Sequence, residues 1–150
     1  MKSEYVPAEQ VGPRVAARRM RQSVITKDNP PKFDMIVHEA ALNQVIGSHK
    51  VTARQLRALV ELAELPNVRL WVVPVELAGN AGLNSPAYLM NFPRNKSVVY
   101  LESATSSVYL EDPTKIDFFR RHVAALAKVA LNPSDSARLV ATMATRHNRE

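Results

Sequence analysis

Cysteine is absent from these 150 residues. Its absence excludes a disulfide framework, thiolate metal sites and cysteine nucleophiles, and it fits a reducing, cytoplasmic setting. Glycine is scarce, with four in the whole chain. No GxGxxG or Walker-type loop can be assembled from them, and "GNAG" at 79–82 is too short to cradle a phosphate. Long apolar runs are missing as well: nothing approaches the roughly 18 to 20 residues of a membrane span. The opening "MKSEYVPAEQ" has no apolar signal-peptide core. The four histidines (38, 49, 122 and 147) form no HExxH, and "SHKV" lacks the spacing of a phosphodiesterase HxK signature. No metal, no cofactor and no membrane partner is therefore expected.

What is present is an ordinary globular composition, 46% hydrophobic and 23% charged, which argues against disorder. The length suits one domain with a real core. The formal net charge is +6, concentrated at the ends: Arg14, Arg18, Arg19 and Arg21 near the start, Arg138, Arg146 and Arg149 near the finish. No aromatic residues interleave with these arginines as a single-strand platform requires. A solvated helix face is the simpler reading, and direct nucleic-acid binding is not expected.

Residues 8–25 read as a helix with Val15, Ala16, Met20 and Val24 as a narrow apolar stripe. "NPP" breaks it, and "FDMIV" (33–37) reads as a short strand followed by a short helix ended by Gly47. "VTARQLRALVELAEL" is a clear amphipathic helix with Thr52 as its expected N-cap. "VRLWVVPV" (68–75) follows as a strand, neighbouring and parallel to the first through a crossover. After the loop "ELAGNAGLNSP" (76–86), read as a lid or rim, three short strands follow. They are "AYLMNF", "KSVVYLE" and "SVYLED". Asp112-Pro113 then caps a long helix whose inward stripe is Ile116, Phe119, Val123, Leu126, Ala127 and Ala130, and Asn132-Pro133 opens a last one. The expected architecture is α/β (α+β). A single mixed sheet of about five strands is flanked by helices, with a C-terminal helix pair. The expected organisation is one domain over 1–150: an N-terminal helix at about 8–25, a sheet core at about 33–112 and helices at about 113–146.

Tyr100-Leu101-Glu102 returns nine positions later as Tyr109-Leu110-Glu111. Strand alternation puts Tyr100 with Glu102, and Tyr109 with Glu111, on one face each. If the strands pair, two phenols and two carboxylates converge, a set suited to acid–base work. The catalytic candidates are Glu39, Glu102, Tyr100 and Tyr109, should the protein be an enzyme. The ligand-binding candidates are His38, Glu39, Trp71, Asn80, Asn84, Tyr88, Tyr100 and Glu102. His38 and Glu39 sit where a strand gives way to a helix, a common place for binding groups in α/β sheets. Asp112, by contrast, has a capping role available.

The blocks "RVAARRMRQSVITKDNPPKFDMIVHEAAL", "QLRALVELAELPNVRLWVVP", "VVYLESATSSVYLEDP" and "FFRRHVAALAKVALNPSDSARLV" run in the order of a known domain. Together they resemble the C-terminal effector domain of actinobacterial, Streptomyces-type, Xre/helix-turn-helix antitoxin-like transcriptional regulators. The resemblance covers roughly residues 12–142. It implies a cytoplasmic regulatory module that binds a small molecule or a small partner protein. Members of that family carry a helix-turn-helix domain upstream. The 30 or so residues before the first strand here are too few for one, so the expectation is the effector half alone. A second expectation is a cofactor-independent biosynthetic enzyme (a cyclase, isomerase or lyase of secondary metabolism) evolved from such a domain. A homodimer through the terminal helices completes the set of expectations.

Overall fold

The computed structural model describes residues 7–80, 86–94, 96–103 and 106–149, and for residues 78–80 only the course of the backbone. Along them run α1 (Ala8–Thr26), β1 (Phe33–His38), α2 (Glu39–Leu42), α3 (His49–Ala63) and β2 (Val68–Val73). A 3-10 helix (Val75–Asn80) follows, then β3 (Ala87–Met90), β4 (Val98–Glu102), β5 (Ser107–Leu110), α4 (Pro113–Val129) and α5 (Pro133–His147). The α/β class, the five strands and the C-terminal helix pair agree with the sequence reading. Contacts divide the chain into two compact units that interleave along it. The first takes the residues up to Met35, Leu42–Leu70 and those from Pro133 on; the second takes Ile36–Ala41 and Trp71–Asn132.

The first unit is built on α3 against α5. Thr52, Ala53 and Leu56 are the buried residues of α3, and Ser136, Val140, Met143, Ala144 and His147 those of α5. The i, i+3, i+4, i+7 spacing of these side chains turns one stripe of each helix inward. The N-cap of α3 is Ser48, not Thr52: its extended backbone (φ −157°) lets the hydroxyl accept from the Val51 N–H at 3.3 Å. Gly47, at φ 78°, reverses the chain just before it, so the helix is capped four residues earlier than the expected Thr52. Thr52 then lies one turn inside, buried, with its hydroxyl accepting from Ile46 N–H at 3.2 Å. At the start of the strands Phe33 N–H donates to the Asn67 carbonyl (2.8 Å), and Arg69 pairs with Asp34 at 2.5 Å. That hydrogen bond, and then the charge behind it, raises the Arg69 pKa. The pair is largely exposed, so it fixes register more than it adds stability.

In the second unit Glu39 meets Val75 N–H at 3.1 Å. The near-constant offset of these contacts, 33 with 67, 34 with 69 and 39 with 75, is the mark of parallel neighbours, as the crossover reading anticipates. The strands, however, form two sheets, β1-β2 and β3-β4-β5, rather than the single mixed sheet expected. The physical reason lies at Val72. Its carbonyl points away from β1 and accepts from Leu131 N–H at 2.8 Å, so the α4–α5 link occupies the β2 edge there. Pro74 follows at once, without an N–H to extend a ladder. The meander β3-β4-β5 therefore pairs only with itself, and α4 packs against β3 and β4.

Asp112 caps α4 as its sequence suggests, accepting from Thr114 N–H (2.9 Å) and Lys115 N–H (3.1 Å), with Pro113 in the first turn. Asp112→Ala is expected to cost about 1 kcal/mol, read as a lowered denaturant midpoint with unchanged slope. Asp112→Asn should retain most of the stability.

Candidate functional site

The three-stranded sheet has two unlike faces. Leu89, Val99 and Leu101 point one way, and Val99 is fully buried. Arg120 of α4 reaches Ser97 (2.8 Å) and Asn91 (3.4 Å), which share that parity, so α4 covers this side. The opposite face carries Tyr88, Met90, Val98, Tyr100, Glu102 and Tyr109. The register makes Tyr88 the partner of Tyr100, and Tyr100 the partner of Tyr109. Three tyrosines thus stand in one row across three strands, ring centroids 5.8 and 4.9 Å apart and tilted by 47° and 43°. Such tilted, offset pairs are favourable aromatic geometry. Tyr88 is 49% and Tyr109 67% exposed, an unusual amount of aromatic surface to leave in water.

The carboxylates do not converge. Ser103 and Ser106 bond to each other across the β4–β5 turn, and the four-residue connection pairs Glu102 with Ser107. Continuing the same register sets Glu111 beside Val98. The two glutamates stand on opposite sides of the tyrosine row, about 14 Å apart by strand rise and spacing. At the Glu111 end, Phe92, Lys96, Val98 and Glu111 line an open cavity of about 260 Å³. The sequence reading missed Phe92, Lys96 and Val98 here. Alternation back from Tyr100 identifies Val98, and no local pattern announces the others.

The remaining candidates are placed elsewhere. His38 ends β1, and its Nδ1 accepts from Ala40 N–H at 3.0 Å, capping the one-turn α2. Glu39 carries the bond to Val75 already described, which ties the chain leaving β2 to the end of β1. Trp71 is half-buried on β2. Asn80 ends the 3-10 helix, which takes up the first part of the expected lid; Asn84 lies outside the described residues, with the rest of 81–85. In the first unit, one histidine contact has no sequence signal: His49 and His147, 98 positions apart, bring their Nδ1 atoms to 3.0 Å. One of them must donate to the other, so the pair is a hydrogen bond within the α3–α5 packing. Among the described residues no group of three or more His, Cys, Asp or Glu side chains is close enough to hold a metal ion, and no helix is long and apolar enough to cross a membrane.

What the tyrosine face can do follows from its chemistry. Ring faces attract cations and the carbon stems of basic side chains, and glutamates on both sides of the row add negative charge. Lys96 beside Glu111 is the one basic group in the cavity lining. Stacking of nucleic-acid bases is opposed by the repulsion between these carboxylates and phosphates. No curated protein and no solved structure matches the chain. A family model does, over residues 1–142, and the chain accordingly belongs to the family described as a domain of unknown function, DUF5753.

Proposed function

We propose that the chain is a ligand- or partner-binding regulatory domain whose binding surface is the Tyr88–Tyr100–Tyr109 face. It acts as a cytoplasmic effector module related to those of actinobacterial helix-turn-helix regulators. The family resemblance supports the regulatory half of this reading. The observation that carries the binding half is the tyrosine row itself: three cross-strand partners stacked in register on the face that α4 leaves open. Aromatic rings flanked by Glu102 and Glu111 select groups that join positive charge to an apolar stem, as arginine does. The acid–base alternative draws less support, because Glu102 and Glu111 are on opposite sides of the row and Glu39 is engaged with Val75.

The test is a calorimetric titration with an oligo-arginine peptide, beside an oligo-glutamate control. The arginine peptide is expected to bind and the glutamate peptide not. Glu102→Gln together with Glu111→Gln should weaken binding roughly tenfold or more, on the scale of charge-assisted contacts at an aromatic site. Equal binding of both peptides, or of neither, would remove the basis for the reading.

A further inference from the structure

We infer that the tyrosine face is occupied by helix α1 of a second copy of this chain, in a reciprocal dimer; the inference rests on the proposed role of that face. Helix α1 is 19 residues long and has no buried residue at all. It holds Gly12 and Pro13 within it, and Pro7 provides no side-chain cap bond. A helix of this composition draws its stability from packing rather than propensity; near its end Asn67 Nδ2 donates to the Ile25 carbonyl, and to the Pro31 carbonyl just beyond it. Met20 is 74% and Val24 44% exposed.

The helical repeat shows what α1 offers. At 3.6 residues per turn, Pro13, Ala16, Ala17, Met20 and Val24 fall within an arc of about 100°, while Val15, expected on the same stripe, falls on the opposite side. Arg19 and Arg21 flank this arc, one on each side. Self-pairing of two such helices sets arginine against arginine, since Glu9 is the only acidic residue of α1. The tyrosine face has the complementary properties. Its centre is the aromatic row, and Glu102 and Glu111 stand on either side of it. With the stripe laid along the tyrosine row, Arg19 and Arg21 fall on opposite sides of it, as Glu102 and Glu111 do. Met20 and Val24 then lie on the rings, the sulfur of Met20 in favourable contact with them, and the two arginines reach the carboxylates. Each copy carries both partners, so in the closed dimer the contact forms twice about a two-fold axis.

Two charge-reversal variants of the full chain test this: Arg19→Glu with Arg21→Glu, and Glu102→Arg with Glu111→Arg. All four positions are exposed, and circular dichroism checks that both variants fold. In sedimentation equilibrium the wild type is expected to dimerise, at least tenfold more weakly in 0.5 M than in 0.05 M salt. Each variant alone should be monomeric. Their equimolar mixture should restore the dimer, because a heterodimer matches charge at both interfaces. Met20→Asp, which leaves the sheet face untouched, should also give a monomer. A monomeric wild type, a variant that still dimerises alone, or a mixture that fails to associate overturns the inference. A monomeric wild type that still binds oligo-arginine overturns only the second copy as occupant; one that binds nothing removes the face as a binding surface too.

Discussion

Truncating Tyr100 to alanine is expected to weaken binding of a cationic partner at the sheet face by about 30-fold or more, the loss typical of a central aromatic anchor. Tyr100 is the only member of the row in contact with both neighbours, at 5.8 and 4.9 Å. Removing it interrupts the platform in the middle rather than shortening it at one end. Two aromatic pairs are lost together, so the fold should also lose about 1 to 3 kcal/mol; binding must be measured below the unfolding midpoint. Tyr100→Phe separates ring from hydroxyl and should bind within a few-fold of wild type. Calorimetry with the oligo-arginine peptide gives both values. Alanine at 100 binding as well as tyrosine would mean that the row is not the contact surface.

Val140→Asp is expected to abolish the folded first unit, whereas Thr142→Asp, two positions along the same helix, is expected to be nearly silent. Val140 has no accessible surface and lies on the side of α5 that faces α3. A carboxylate there has lost its hydration without gaining a partner, at a cost of several kcal/mol against a total stability of about 5 to 15 kcal/mol. Thr142 is on the exposed side, where a substitution usually changes stability by about 0.5 kcal/mol or less. Thermal and urea unfolding of the pair measure the contrast. Similar midpoints would contradict the assignment of the α3–α5 stripe as core.

Much of this architecture is legible in the sequence, and the doubled Tyr-Leu-Glu shows both the reach and the limit of reading it. Alternation puts the tyrosines and glutamates on one face of each strand, and the structure agrees. Whether they meet depends on register, and register depends on the turn. The four residues of "SATS" pair Tyr100 with Tyr109 but set Glu102 against Ser107. Counting back across that turn recovers the pairing, so the signal was present in the spacing. The division into two sheets is different in kind. It rests on Leu131 bonding to Val72, 59 positions away, and no local pattern encodes a bond of that range. The His49–His147 contact is hidden for the same reason. The N-cap of α3 shows a local competition: both Ser48 and Thr52 are good caps by type, and the positive φ at Gly47 decides for Ser48. Helix α1 was legible as a helix, but its lack of any buried residue is a property of the packed chain alone.

Occupation of the tyrosine face is tested most directly by a two-dimensional NMR titration of the full chain with the oligo-arginine peptide. Shifts are expected to concentrate on Tyr88, Tyr100 and Tyr109 and on the neighbouring Val98, Glu102 and Glu111, and to grow together along one binding curve. Shifts confined to the open hollow along α5, lined by Thr142, Thr145, Arg146 and Arg149, or absent from the tyrosine row, would contradict it.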